Sequence, residues 1–305
     1  MRKEWLGAIS LTLAASIWGG MYVVSKYALG YIEPFTLIWM RYAVAFIVLF
    51  AMWGAFGRER IARRDWKWIA LVGVIGYVAS ISFQFIGTKL SDAHTGSLVT
   101  AATPAFMVIF ARVILKERLT PVKIGSLLLA TLGVIIVVGW HVEGTYFIGS
   151  LVLVGAAITW ALMSIYVKIA SETMSSLTIT TFAIGIAFVL MTPLMGMEVA
   201  ASGLPEMNTV LWLSVLYVGI ISTAGAFFFW NKGLELMDAS VGSLFFFFQP
   251  LVGGYLGWLV LDEQLDRNFF IGAACIVTAV TWSTMVERRH KRLRETRQIE
   301  ERHIL

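Results

Sequence analysis

The sequence contains little charge and a single cysteine. Only 14% of its 305 residues are charged and 58% are hydrophobic, whereas a soluble domain has about 25% charged residues. A water-soluble core of this length cannot bury so much apolar surface, so we expect lipid to surround most of the chain. The lone Cys275 excludes a disulfide framework within the chain and a cysteine metal site.

Acidic and histidine side chains are missing from the middle of the apolar runs. The four histidines, His94, His141, His290 and His303, fall at the ends of runs, in loops or in the C-terminal tail. Because hydrolases and metalloenzymes need such groups clustered, we predict that the protein is not an enzyme and has no catalytic residues and no metal site. No glycine-rich phosphate-binding motif occurs, so ATP is not the direct energy source and no cofactor is expected.

What the sequence does contain is a series of long apolar runs. Roughly 20 apolar residues in a helix cross a hydrocarbon core about 30 Å thick. Ten runs of that length follow one another with short connections, which leaves no room for a soluble domain. We therefore predict an all-α integral membrane protein with ten transmembrane helices. The predicted spans are Trp5–Leu29, Phe35–Phe56, Trp68–Thr88, His94–Leu115, Pro121–Trp140, Phe147–Val167, Leu177–Met197, Val210–Trp230, Ala239–Leu261 and Asn268–Val286.

The basic residues lie in alternate connections and in the tail, residues 288–305. By the positive-inside rule, this asymmetry predicts a multi-pass protein of the plasma (inner) membrane with both termini cytoplasmic. The tail is expected to be a frayed surface helix or a disordered segment. Topology also explains the net charge of +5 without a nucleic-acid partner. The expected partners are the lipid bilayer and a small-molecule solute, and the sequence leaves a homodimer open.

The two halves of the chain match each other in the same order. We predict one five-helix repeat over residues 1–142 and a second over residues 147–287. Because five is an odd number, the second copy enters the membrane from the opposite side. Inverted repeats of this kind occur in many secondary transporters, which bind substrate near the midplane between the halves. The matched pairs include Trp18 with Trp160, Met21 with Met163, Lys26 with Lys168, Asp92 with Asp238, Gly96 with Gly242, Pro104 with Pro250 and Glu117 with Glu263.

The duplicated segment of the fourth and ninth spans resembles the drug/metabolite transporter superfamily, and in particular its EamA-type branch of ten-helix exporters. Residues 115–120 (LKERLT), followed by Gly125, are similar to the end of that family's fourth helix. Residues 262–265 (DEQL), followed by Gly272, are similar to its second copy. The resemblance implies two inverted five-helix repeats and export of amino acids, other metabolites or drugs, and it does not select among these solutes.

Polar and aromatic side chains inside the spans are the candidates for a central site. Trp18 and Trp160 are symmetry mates in the middle of their spans, and they either pack helices together or form aromatic walls of a cavity. Polar groups inside a membrane face the bundle or a water-filled cavity rather than lipid, although each can simply bond a neighbouring backbone. The candidate cavity residues are Trp18, Tyr22, Arg41, Tyr77, Ser80, Gln84, Trp160, Ser164, Trp230, Asn231, Ser243 and Gln249.

Arg41 and two prolines have two interpretations each. Arg41 lies about 9 Å inside its span, at about 1.5 Å per residue. It either extends toward the membrane surface or faces the cavity, where it would favour an anionic solute group.

Pro104 and Pro250 lie inside their predicted helices, where they produce static kinks or act as a pair of gating hinges.

We therefore expect a secondary transporter, an exporter or exchanger of small metabolites, with amino acids as the first candidates. The alternatives are a multidrug efflux protein and a non-transporting membrane scaffold or receptor. No carboxylate lies near the middle of a span, which disfavours proton-coupled efflux of cations. Exchange, or proton coupling through a peripheral carboxylate such as Glu33 or Asp92, both remain open.

Overall fold

The computed structural model describes residues 2–91, 96, 99–138, 147–261 and 267–304. These residues form helices and connections, and no strand occurs among them, which confirms the prediction of an all-helical fold for this part of the chain. The helices, numbered here in chain order, are α1 (Arg2–Leu29), α2 (Pro34–Phe56), α3 (Trp66–Leu90), α4 (Thr103–Val113), α5 (Pro121–Val138), α6 (Phe147–Ala170), α7 (Ser176–Ser202), α8 (Thr209–Leu236), α9 (residues 239–261) and α10 (Arg267–Ile304).

Seven of the described helices are long and apolar enough to cross a membrane, namely α1, α2, α3, α6, α7, α8 and the first part of α10. The other three, α4, α5 and α9, are apolar but shorter. The predicted start of the fourth span and the predicted end of the fifth, Trp140, lie outside the described residues. The tail, expected to be frayed or disordered, continues α10 as a helix to Ile304.

Helices from the two halves of the chain pack against one another in matching pairs. α1 packs on α8 and α9, and α6 packs on α3 and α4. α2 packs along α7 and α8, while α7 also packs on α3, and α5 runs against α10. Each half thus completes the packing of the other, and the buried core lies between them.

Two lysines, matched in the sequence repeat, cap corresponding helix ends within their own halves. Lys26 Nζ donates to the carbonyl oxygens of Thr88, at 2.9 Å, and Ser91, at 2.6 Å, at the end of α3. Lys168 Nζ donates to those of Leu234, at 2.8 Å, and Met237, at 2.7 Å, at the end of α8. The last carbonyls of a helix have no partner within it, and its C-terminal dipole favours a cation.

Three glutamates cap helix starts in the complementary way, since the first N–H groups of a helix also lack partners within it. Each lies at a helix end or in a connection and joins separate parts of the chain. Glu198 accepts from the N–H groups of Phe35 and Thr36 in the first turn of α2. Glu59 accepts from that of Ser175, just before α7, and Glu117 from those of Ala239 and Ser240, the first two residues of α9. The partner expected for Glu117 in the repeat, Glu263, lies outside the described residues.

α3 and α8 each contain a π-helical stretch of nine residues, Val72–Ser80 and Tyr217–Gly225. A π-helix has a wider turn than an α-helix and is found frequently at functional sites. Both stretches lie where the two halves meet. Backbone groups of such a stretch can bond to other helices, as the Ser222 oxygen does in accepting from Trp18 Nε1.

Candidate functional site

A narrow cavity of about 30 Å³ lies where α1, α3, α4, α6, α8 and α9 converge. One water molecule needs about 10–15 Å³ of such space. The cavity therefore has room for about two waters and is too small for an amino acid. A solute of that size can enter only if the lining moves. The lining residues are Trp18, Met21, Ser80, Gln84, Thr100, Thr103, Ala156, Ala157, Trp160, Phe227, Phe246 and Gln249.

Four aromatic rings form one part of the cavity wall. The rings of Trp18 and Trp160, the two matched tryptophans, meet edge to face with centroids 5.3 Å apart. Phe227 packs against both, at 5.9 Å from Trp18 and 5.3 Å from Trp160. Phe246 packs on Trp18 at 5.7 Å, and Trp230 completes the cluster from behind. Aromatic pairs prefer such edge-to-face and tilted arrangements and are stabilised by them.

The two matched indoles differ in their hydrogen bonding. Trp18 Nε1 donates to the backbone oxygen of Ser222 at 3.0 Å, within the π-helical stretch of α8. Trp160 Nε1 is buried and has no hydrogen-bond partner in the part of the chain that the structure describes. Burial of an unpaired donor is unfavourable, and native structures contain few such groups. The Trp160 side of the cavity therefore offers a free donor.

Polar groups occupy the side of the cavity near α3 and α4. The Tyr22 hydroxyl is 2.7 Å from Thr100 Oγ1 and accepts from Gln84 Nε2 at 2.8 Å. Ser80 Oγ donates to the Ala156 oxygen at 2.8 Å and joins α3 to α6. Ser80, Gln84 and Thr100 line the cavity and can orient a polar solute, as can Thr103 and Gln249, whereas Tyr22 is not among the lining residues.

Some residues predicted for the cavity lie behind its wall instead. Asn231 Nδ2 donates to Tyr77 Oη at 2.9 Å and to Thr180 Oγ1 at 2.8 Å. Trp230 Nε1 donates to Ser164 Oγ at 3.2 Å. Ser243 Oγ donates to the Ser240 oxygen, within α9 itself. These side chains join the helices that carry the wall rather than lining the cavity.

Arg41 is completely buried, with none of its surface exposed. Its Nε donates to Thr223 Oγ1 at 2.7 Å, and its Nη2 lies 4.0 Å from Met21 Sδ. The guanidinium carbon is 5.1 Å from the Phe85 ring centre and 5.6 Å from that of Phe227. Of the two interpretations of Arg41, extension to the membrane surface is therefore wrong, and the side chain lies directly behind the cavity wall.

The two prolines lie in first turns rather than in helix interiors. Pro104 follows the turn at residues 101–102 and belongs to the first turn of α4. Pro250 is the third residue of the last α-helical part of α9, which begins at Phe248 directly after the 3₁₀-helical stretch Ser243–Phe247. A proline costs no hydrogen bond in a first turn, so the break before each proline replaces the predicted interior kink.

Sequence reasoning missed seven of the lining residues. The apolar members carry no polar signal in a chain that is apolar throughout, although Met21 and the alanine pair belong to the matched repeat. The two threonines lie one and four residues before Pro104, which is the signal that could have identified them. The missed residues are Met21, Thr100, Thr103, Ala156, Ala157, Phe227 and Phe246.

The described lining contains no acidic residue and no lysine, arginine or histidine. Elsewhere among the described residues, no three His, Cys, Asp or Glu side chains approach closely enough to hold a metal ion. The arrangement thus consists of neutral polar groups and aromatic faces, with one buried cation behind them.

The sequence matches the profile of the EamA-like transporter family twice, over residues 5–139 and 147–285. The chain belongs to the EamA-like transporter family. It is similar to the uncharacterized transporter YoaV of Bacillus subtilis, with 23% identity over 95% of this chain and 100% of that protein. It is also similar to an uncharacterized transporter of Archaeoglobus fulgidus, with 25% identity over 91% of this chain and 97% of that protein.

A solved crystal structure has the same fold. It superposes with a TM-score of 0.76 at 20% identity, and the match covers 93% of this chain and 98% of the other. With the family match and the apolar helices, this EamA-like protein is a multi-pass membrane protein. Its family and its relatives' names point to a transporter rather than an enzyme.

Proposed function

We propose that this EamA-like protein is a secondary transporter that exports or exchanges a small metabolite, with amino acids as the first candidates. Its ten helices would form two inverted five-helix repeats, over residues 1–142 and 147–287, followed by the basic tail, residues 288–305. The cavity at their meeting point carries this proposal, because its lining comes from α1, α3 and α4 of one half and α6, α8 and α9 of the other.

The packing of the two halves supports an inverted repeat. The first helix of each half packs on the third and fourth helices of the other. The π-helical stretches fall in corresponding helices, α3 and α8. Lys26 and Lys168 cap corresponding helix ends. Transporters built in this way open one central site to each membrane face in turn, and the narrowness of the cavity in this conformation is the state expected between two openings.

The distribution of charge supports the proposed location in the plasma membrane with both termini cytoplasmic. The basic tail and the connections after α2, α4, α6 and α8 would lie on the cytoplasmic side, as the positive-inside rule requires. The lining residues favour a metabolite over a cationic drug, because none of the described ones is acidic. Pairing with a membrane carboxylate is therefore not available to a cation at this site.

Uptake into proteoliposomes tests this proposal. We expect saturable uptake of one or more radiolabelled amino acids from a panel, measured with and without a pH gradient. Trp18→Ala should abolish uptake while the protein still inserts, because it removes a central ring of the wall. Trp282→Ala is the matched control, since Trp282 lies in α10 and is 47% exposed. Equal loss in both variants, or no flux of amino acids, nucleosides, sugars or drugs above empty liposomes, would contradict the proposal.

A further inference from the structure

Arg41 lies where a positive charge is hard to accommodate. It is about 10 Å along α2 from Pro34, at about 1.5 Å per residue, and no part of it is exposed. Apart from Thr223, its surroundings are the thioether of Met21 and the rings of Tyr42, Phe85 and Phe227. An arginine keeps its proton under these conditions, and a charge inside a membrane protein is unfavourable unless it is paired.

The guanidinium has no anionic partner among the described residues. None of the ion pairs found there includes Arg41. Nε is satisfied by Thr223, whereas Nη1 has no hydrogen-bond partner in the described part of the chain. The aromatic rings hold the cation through their faces but accept no conventional hydrogen bond. Arg41 thus retains donor capacity that the described residues do not use.

A single layer of side chains separates Arg41 from the cavity. Met21 and Phe227 both line the cavity and both contact the guanidinium. Phe227 also packs against Trp160, whose Nε1 is another buried donor without a described partner. Met21 is the movable part of this wall, because a methionine side chain is unbranched and adopts many shapes. A shift of Met21 would bring Arg41 into contact with a solute.

We propose that the transported solute carries a carboxylate and that Arg41 binds it. This inference rests on the proposed transport function and adds the chemical class of the solute. A carboxylate has two oxygens in a plane that match the planar fork of a guanidinium, and it can accept from Nη1 and from the Nη2 group now facing Met21. A phosphate monoester would bring a second negative charge, and the described cavity lining has no further cation to meet it.

Matched acids and amides test this assignment. Purified protein is titrated with phenylalanine and phenylalanine amide, hydrocinnamate and hydrocinnamamide, and isovalerate and isovaleramide, and the thermal shift gives an apparent affinity for each. Each amide keeps the shape of its acid and loses the negative charge. In the wild type we expect the acid of at least one pair to bind about tenfold or more tightly than its amide, as losing a charge-assisted hydrogen bond requires.

Variants assign the preference to Arg41. Arg41→Gln should bring the acid-to-amide ratio close to one, while Arg41→Lys should keep part of it because the charge remains without the fork. Lys26→Gln is the matched control: it also removes a positive charge from a helix of the first half, but Lys26 bonds to helix ends away from the cavity. Its acid-to-amide ratio should equal that of the wild type even if its stability falls.

The outcomes separate this inference from the proposed function. Equal binding of acids and amides by the wild type overturns the assignment even if the glutamine variant cannot be purified. An acid preference that survives Arg41→Gln also overturns it and leaves transport intact. Uptake of neutral or cationic solutes without a preference for acids also overturns the assignment and leaves transport intact. Inorganic phosphate is included as a competitor, and tighter binding of phosphate than of every acid rejects the carboxylate class.

Discussion

Close packing between α1 and α9 gives a prediction whose size can be worked out from the structure. Gly19 follows Trp18, and a Cβ added there would lie 2.7 Å from the backbone oxygen of Gln249 and 3.1 Å from the backbone nitrogen of Gly253. Carbon–oxygen contacts normally lie at about 3.3–3.6 Å, and backbone atoms cannot rotate away. In a Gly19→Ala variant the two helices must therefore separate by roughly 0.6 Å.

The free-energy change combines two terms of opposite sign. Overpacking of a tight core costs about 1–3 kcal/mol, whereas replacing glycine by alanine inside a helix gains about 0.8–1 kcal/mol. A Gly196→Ala variant should show only the gain in helix stability, because Gly196 lies within α7 and a Cβ there would meet nothing within 4 Å. Gly19→Ala should therefore be less stable than Gly196→Ala by about 1–3 kcal/mol, and only Gly19→Ala should impair uptake.

Equilibrium unfolding in mixed detergent micelles, with uptake by the same preparations, measures both effects. Gly19→Ala moves the cavity wall as well as the helices, since Trp18 and Gln249 lie on the two sides of the contact. If Gly19→Ala were as stable and as active as Gly196→Ala, the reasoning from the close approach of α1 and α9 would be refuted.

Two further predictions concern the helix caps. Lys26→Met and Lys168→Met should each lower the free energy of unfolding by about 1.5–3 kcal/mol, the range for hydrogen bonds to charged groups. The two losses should add in the double variant to within about 0.5 kcal/mol, since the lysines share no partner; a strongly non-additive double variant would argue against independent caps. Glu117→Ala should lower the free energy of unfolding by about 1–3 kcal/mol, because it leaves two N–H groups at the start of α9 unpaired. Amide hydrogen exchange at Ala239 and Ser240 should accelerate. Unchanged exchange there would show that Glu117 is not the cap.

The sequence predicted those parts of the site that carry a recognisable signal. Trp18 and Trp160 stood out because an indole in the middle of a span gains nothing from lipid, and the repeat paired them. Ser80, Gln84 and Gln249 are polar residues within apolar runs, and all three line the cavity. Phe227 and Phe246 were missed because an aromatic residue among many others looks the same whether it faces lipid, a neighbouring helix or the cavity.

The depth of charged side chains could not be predicted, because it depends on which helix packs where. Lys26 and Lys168 lie close to span ends in the sequence, and only the contacts of α1 with α3 and of α6 with α8 bring helix termini to them. Arg41 could equally have reached the membrane surface by its position in α2. Its burial follows from the π-helical stretch of α8, which places Thr223 beside it.

Accessibility of the cavity from the two membrane faces tests most directly whether the central site opens to each side in turn. A cysteine is introduced as Ser80→Cys, at a buried lining position, after the native Cys275 is replaced by serine. A membrane-impermeant thiol reagent is then applied to right-side-out and inside-out vesicles. Alternating access predicts labelling from both faces, with added solute changing the two rates in opposite directions. Labelling from one face only, or from neither, would contradict a central site that opens to each side in turn.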